Sequence, residues 1–263
     1  MPLTEFQKRV ALSLAENRSE DSHLAGGAAI HLLPNSQRFS YDLDYFHDSA
    51  ERVSSAFESD QKLLTEKNFE VSVVFSQVGF VQAVVSDAGL TTKVEWSHDS
   101  AWRFLPVVQS VEVGYQLHPI DLAVNKVLAL IGRNEPRDLL DTLFLHKNTL
   151  SLGALCWAAS GKDPGFTPKL ILAQIRRRGV LRDEDVKKLN LVEQPNLQEI
   201  KNEWLQAIAS AEEFINSRPA DEIGCLYYLS EDQSFTGEKN ILLEDNNIQI
   251  HHGALYGVQP KIV

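Results

Sequence analysis

The sequence predicts an α+β fold, with a mixed sheet and helices over residues 1–118 and a mainly helical half over 119–263 that ends in short strands. Three observations carry this. Runs rich in β-branched and aromatic residues, 69–75, 80–86 and 90–96, are separated by Gly79 and by Asp87-Ala88-Gly89, the pattern of a strand meander. Residues 39–46 alternate well enough to form another strand. From Pro119 onward, apolar residues recur at helical spacing.

The elements follow in chain order. Leu3, Phe6, Val10, Leu12 and Leu14 predict a helix over 3–17. The stretch 23–27 is short and ends in a glycine pair, a punctuator. Residues 28–33 predict a short helix closed by Pro34-Asn35. Val53, Phe57, Leu63 and Leu64 mark an amphipathic helix over 49–64. After the meander, 107–117 reads as one more strand, and Pro119 closes it. Helices are expected over 120–132, 136–146, 150–159, 168–178 and 197–215, with Pro136 suited to the first turn of the second. CLYYLS, KNILLE and NNIQIHH return to strand-like runs between 223 and 251, and His251-His252 is expected at the surface.

The net charge is −11, from 36 acidic and 25 basic residues. A broad nonspecific nucleic-acid surface needs a basic field, so that class is disfavoured, while a local basic cleft is compatible. An acidic chain still binds phosphates when a metal ion supplies the positive charge. Cys156 and Cys225 are distant and lack metal-ligand spacing, so neither a zinc site nor a disulfide framework is expected. Both read as buried thiols in a reducing compartment. MPLTEFQKRV has no apolar signal region, and no apolar run approaches the roughly 20 residues of a membrane span. The expectation is a cytoplasmic protein with no membrane partner.

The informative stretch is LAGGAAIHLLPNSQRFSYDLDYF, residues 24–46. Side chains two apart on a strand share a face, so Asp42 and Asp44 point together, with Tyr41, Leu43 and Tyr45 expected on the core side. Two adjacent carboxylates repel, and a divalent cation compensates them well, since magnesium favours one or two carboxylates plus substrate phosphates. Gly26-Gly27 permits close backbone approach to a phosphate ahead of a helix start. A phosphate cradle beside a metal platform is what phosphoryl and nucleotidyl transfer require. Either motif alone is weak, because acid pairs are commonly solvated turns.

A third carboxylate is expected on an adjacent strand. Glu95, within LTTKVEWS and two residues from Lys93, is the candidate, and Glu112 in VQSVEVGY is the alternative. Lys93 and Glu95 also suit a solvent-facing edge. In the second block, 121–145, Lys126 and Arg133 are seven apart and share a helix face. Lys126 sits among Val124, Val127, Leu128 and Leu130, so it should reach for a partner such as a phosphate or snorkel to the surface. Asp138 and Asp141 are three apart on one face of the next helix, and Arg137-Asp138 also suits a cap and a local ion pair. Arg176-Arg177-Arg178 either complements a helix C-terminus before Gly179 or touches an RNA backbone.

The order GG…RxSxDLDxF, then KVE on a strand, then NKxxALxxRxxxRDxxD resembles the AbiEii/AbiGii-type nucleotidyltransferase toxins of type IV toxin–antitoxin systems, within the DNA polymerase-β-like nucleotidyltransferase superfamily. The resemblance covers about residues 20–147. It implies that Gly26 and Gly27 form the phosphate-binding turn and that Asp42 and Asp44 bind Mg2+ or Mn2+. Glu95 would be the third acid, and Lys93 and Lys126 would contact the nucleotide. Asp138, with Asp141, would complete the last motif, and Arg38 and Ser40 match positions where the family often has Arg and Ser. The superfamily often has Ser where this chain has Gly27. The implied reaction moves an NMP from an NTP to a hydroxyl, with release of pyrophosphate. The acceptor would be a tRNA 3′ end, a protein side chain or a small molecule, and the partner an antitoxin encoded nearby. The alternative is a non-catalytic module of the same fold that binds a nucleotide or a partner, or an adaptor without ligand.

Overall fold

The computed structural model describes residues 3–36, 38–133, 135–178, 181–229, 234–237 and 247–260. They form two compact units. The first comprises Met1–His118 with Asn190–Val192 and Leu255–Gly257, and the second comprises Pro119–Leu189, Glu193–Ala254 and Val258–Val263.

The first unit contains α1 (Glu5–Leu14), β1 (Ser22–Ala25), α2 (Gly26–Ile30), β2 (Asp42–His47), α3 (Ala50–Glu66), β3 (Glu70–Gln77), β4 (Phe80–Asp87), β5 (Leu90–His98), the short β6 (Trp102–Arg103), β7 (Val108–Ser110) and β8 (Gly114–Gln116). Seven strands form one mixed sheet in the order β3-β4-β5-β2-β1-β8-β7. The β3-β4-β5 meander is antiparallel, whereas β2 runs parallel to β5 and antiparallel to β1. Thr4 and Gln7 cap α1 reciprocally, and the Ser49 hydroxyl caps α3 by accepting from the Arg52 amide, each satisfying a backbone donor that a helix start leaves open.

One sheet face is the core. Leu43, Tyr45, Val81, Ala83, Val94 and Trp96 are buried on it, under the buried stripes Val10–Leu14 and Val53–Ala56–Leu64 of the two long helices. A polar network is buried within. The Arg18 guanidinium donates to both Asp60 oxygens at 2.5 Å, and Trp96 Nε1 donates to Asp60 at 2.7 Å. The Arg18 guanidinium also lies 4.5 Å from the centre of the Tyr45 ring. Neither partner of this ion pair reaches solvent, so losing one would strand a buried charge at a cost of about 3–5 kcal/mol. The network fastens β2 and β5 from behind. His47, also buried there, is pushed down to about 3 by burial, with the Arg18 and Arg52 charges adding to the effect.

The sequence reading needs three corrections here. Residues 107–117 are not one strand but a hairpin, because Gly114 at φ +76° turns the chain. A side chain at Gly114 would meet the Ala15 carbonyl at 2.6 Å. Residues 22–25 form a fully buried strand. The Asp-Leu-Asp strand begins at Asp42, so Tyr41 lies outside it and is exposed. Its hydroxyl accepts from the Asn190 amide at 2.9 Å, and the Phe39 amide donates to the Asn190 carbonyl at 2.8 Å.

The second unit contains α4 (Pro119–Gly132), α5 (Pro136–Asn148), α6 (Leu152–Lys162), α7 (Pro168–Arg178), α8 (Asp183–Lys187) and α9 (Leu197–Ser217), with β9 (Leu226–Leu229), β10 (Ser234–Thr236) and β11 (Ile248–His251) in a small antiparallel sheet ordered β10-β9-β11. The helix α6 is buried all round from Leu152 to Ser160, the pattern of a central helix. Trp157 donates from its indole to the Glu222 carbonyl at 2.8 Å. Cys156 and Cys225 are buried free thiols, and burial pushes Cys225 up to about 12. His251 is buried against Phe235, with ring centres 5.5 Å apart, contrary to its expected surface position, while His252 is exposed. KNILLE, residues 239–244, lies outside the described residues. Among the described residues no helix is long and apolar enough to cross a membrane.

Candidate active site

The open face of the first unit's sheet carries the chemistry. Strand alternation turns Leu43 and Tyr45 inward and leaves Asp42 and Asp44 on the opposite face. The parallel register sets Lys93 beside Asp42 and Glu95 beside Asp44. The same parity holds on β5, where Thr92, Val94 and Trp96 are buried and Lys93 and Glu95 are half-buried. Four of the sequence-derived residues thus meet on two adjacent strands.

The glycine pair adjoins them. Ala25 pairs with Asp44, which places Gly26 next to that carboxylate. Gly26 has φ +58°, and a Cβ on it would lie 2.0 Å from Asp44 Oδ2. Only glycine suits a position that combines left-handed backbone with this approach. A Cβ on Gly27 would lie 3.0 Å from an Arg38 guanidinium nitrogen and 3.1 Å from the Ser40 hydroxyl. Those two side chains stand where the side chain of a serine at 27 would extend. Ser40 Oγ donates to the Asp42 carbonyl at 3.0 Å, and Gln7 Nε2 fixes the Ser40 carbonyl at 3.1 Å. Arg38 is buried and donates to the Phe39 carbonyl at 3.0 Å.

The acids are not yet gathered about one point. Lys93 Nζ lies 3.2 Å from Asp42 Oδ2 and 2.8 Å from Glu95 Oε1, and Gln82 Nε2 donates to the same Glu95 oxygen at 2.8 Å. Among the described residues no three His, Cys, Asp or Glu side chains converge as a metal site. Burial alone would lower Lys93, but its hydrogen bond to Glu95 and the Asp42 and Glu95 charges outweigh that and hold it above its ordinary value. The donors suit magnesium or manganese: hard carboxylate oxygens, two of them on one strand face, beside bare glycine backbone. Asp42 and Asp44 offer oxygens that fit such an ion, and Glu95 lies across the strand pair in register with Asp44.

Glu112 does not join them. It is exposed in the turn between β7 and β8. Since Gln116 pairs with Leu24 in parallel, this turn lies toward the start of β1, away from Ala25 and Asp44. Gln82 was missed by sequence reasoning. Its only signal is the β4–β5 register, which sets it opposite Glu95.

The second unit gathers the remaining candidates by themselves. Lys126 is buried on α4, with Nζ 2.8 Å from Asp138 and 3.1 Å from Asp141 on α5. It does not snorkel. Arg133 adds hydrogen bonds to Asp138 at 2.7 and 3.1 Å. Burial would raise Asp138, yet the Arg133 hydrogen bond and the Lys126 charge prevail and hold it below the usual carboxylate range. At the basic cluster, Arg176 pairs with Glu212 on α9 at 2.5 Å, both half-exposed.

Sequence comparison matches the chain to no protein-family model and to no curated protein. Solved structures do match. MenT4, a nucleotidyltransferase toxin from Mycobacterium tuberculosis, is 18% identical, with 82% of this chain and 83% of that one covered at a TM-score of 0.56. JHP933 from Helicobacter pylori is 18% identical, with 81% and 95% covered at 0.51. At this identity the likeness concerns architecture, and it shows that the chain has an α+β nucleotidyltransferase fold.

Proposed function

We propose that the chain is a magnesium- or manganese-dependent nucleotidyltransferase that moves an NMP from an NTP to a hydroxyl acceptor. One observation carries this reading: Asp42 and Asp44 share the open face of β2 directly against Gly26, whose bare α-carbon is imposed by the Asp44 carboxylate. The nucleotidyltransferase fold supports it.

Asp42 and Asp44 would hold the ion, with Glu95 as third acid. When bound, the divalent ion supplies charge that draws the phosphates together and favours attack by the acceptor oxygen. Gly26 and Gly27 let the triphosphate approach the backbone. Arg38 and Ser40, flanking Gly27, would donate to phosphate oxygens, and Lys93 stands within reach of the same face. Glu95, half-buried and hydrogen-bonded by Gln82, would accept the acceptor hydroxyl's proton. Lys126, Asp138 and Asp141 would complete the family's last motif. In this chain their mutual ion pairs make Lys126 a nucleotide contact only if it exchanges a carboxylate for a phosphate.

The acceptor would be a tRNA 3′ end, a protein side chain or a small molecule. A toxin role is proposed by analogy with MenT4, a nucleotidyltransferase toxin, and a neighbouring antitoxin follows only from the resemblance to type IV toxin–antitoxin systems. The two free, buried thiols support a reducing, cytoplasmic setting. The test is transfer of α-phosphate label from each NTP to an acceptor panel with Mg2+ or Mn2+. Wild type should transfer label and Asp44→Ala should not. Tight NTP binding with no product across the panel would favour the non-catalytic alternative.

A further inference from the structure

We propose that Lys93 is a resident counter-ion that occupies the charge site in the metal-free protein and is displaced when the divalent ion binds. The inference rests on the function proposed above and concerns the same site. Lys93 Nζ lies between two carboxylates on neighbouring strands, 3.2 Å from Asp42 Oδ2 and 2.8 Å from Glu95 Oε1. Those carboxylates are 9% and 19% exposed, and the lysine is 37% exposed. The acids are therefore fixed and largely shielded, while the cation sits on the solvent side with a flexible stem. Like charges side by side on a sheet destabilise it, and Lys93 relieves that at Asp42 and Glu95 without any metal.

The same contacts explain why the acids do not converge. Lys93 and Gln82 both engage Oε1 of Glu95, so this oxygen is already held by the ammonium and by β4. A divalent ion at Asp42 and Asp44 would meet an ammonium at contact distance from one of its own ligands. Two cations there repel, so binding requires Lys93 to swing into solvent, which frees Asp42 Oδ2 and one bond of Glu95 together. Lysine is well suited to such an exchange, being a point charge on four methylenes without the fixed fork of arginine.

The experiment measures Mn2+ affinity alone, without nucleotide, by isothermal titration and by the loss of free-Mn2+ paramagnetic signal. It compares wild type, Lys93→Met, Lys93→Gln and Lys93→Arg. Removing a competing, partly exposed ion pair should tighten Mn2+ binding about two- to fivefold in Lys93→Met and Lys93→Gln. Lys93→Arg, which keeps the charge, should bind no tighter than wild type. Without metal, Lys93→Met and Lys93→Gln should melt below wild type, and added Mn2+ should narrow the gap. If wild type binds Mn2+ and the two neutral variants bind it equally or more weakly, the counter-ion role is overturned while the proposed function stands. If wild type binds no Mn2+ with or without NTP, the proposed function fails and the inference fails with it. Two neutral variants and a solution affinity keep the result readable should one of them fold poorly.

Discussion

The two units each build a cluster of carboxylates and cations, and the clusters differ in balance. On the sheet, Asp42, Asp44 and Glu95 face Lys93, with Arg38 at the margin, and the lysine and Glu95 are part-exposed. Between α4 and α5, Asp138 and Asp141 face Lys126 and Arg133, two acids against two bases, and three of the four side chains are buried. A balanced, buried set satisfies itself, whereas on the proposed function the acidic surplus of the part-exposed strand face would be completed by a cation from outside. If the proposed function holds, charge balance and access, more than the presence of acids and a lysine, separate the ligand-binding cluster from the one that holds its fold.

The largest effect that tests this contrast is loss of Lys126. Lys126→Met leaves Asp138 and Asp141 buried with one partner fewer, and destabilisation of about 3–5 kcal/mol is expected by urea unfolding. The double variant Lys126→Met with Asp141→Asn should recover part of it, since it removes an uncompensated charge. If Lys126→Met cost less than about 1 kcal/mol, the closed cluster would not be structural and the contrast would break.

Next is Gly26→Ala. The new methyl must occupy left-handed backbone and meet Asp44 Oδ2 at 2.0 Å. A cost of about 1–3 kcal/mol is expected from the backbone and the displaced carboxylate together. Label transfer should fall further than stability does. Gly89→Ala is the control, because it shares the positive φ of +82° and has open space around the new methyl. It should show the backbone penalty alone and keep transfer.

The clusters should also fail at opposite ends of the pH scale. Asp138 is held low in the fold, so its contribution is full above the ordinary aspartate range, near pH 4, and is lost as pH falls through the lower folded value. Lys93 is held high, so its contribution is full below about pH 10.4 and is lost as pH rises through the higher folded value. His47, pushed down to about 3, adds an acid-side loss that begins near its ordinary value of 6.5. The comparison must therefore be between variants. Against wild type, Asp138→Asn should flatten the melting temperature only below about pH 4, and Lys93→Met should flatten it only above about pH 10. Flattening of both ends by either substitution would sink the assignment.

Much of this was legible in the sequence wherever the signal is local. The meander, the helix from Pro168 to Arg178, the shared face of Asp42 and Asp44, and the shared face of Asp138 and Asp141 all follow from periods of two or about three and a half residues, whereas the pairing of Lys126 with those two aspartates across α4 and α5 does not. What was missed depends on distant partners. Tyr41 has inward parity by alternation, but the strand starts one residue later and the Asn190 segment holds the hydroxyl. Glu112 was a fair candidate in an unbroken strand and lost that standing when Gly114 turned the chain. Asp60 reads as one more polar residue of an amphipathic helix. Its burial becomes intelligible only with Arg18, 42 positions earlier, and Trp96, 36 later. Gln82 needed the strand register.

The smallest effect is the sharpest discriminator, because the two regions should respond with opposite sign. Asp44→Asn keeps the shape of the side chain and removes one charge from a face where acids outnumber bases. With no metal added, relief of repulsion from Asp42 and Glu95 should leave stability unchanged or raise it, by no more than about 1 kcal/mol at a partly exposed position. Asp138→Asn makes the same chemical change where the charge is buried and paired with both Lys126 and Arg133, and it should destabilise by several-fold more than Asp44→Asn stabilises. Saturating Mn2+ should then reverse the order at the first site. It should raise the melting temperature of wild type and not of Asp44→Asn, since a ligand stabilises only the form that binds it. If Asp44→Asn instead destabilised the metal-free protein as Asp138→Asn does, the sheet acids would be structural partners, and the distinction between the two clusters would be lost.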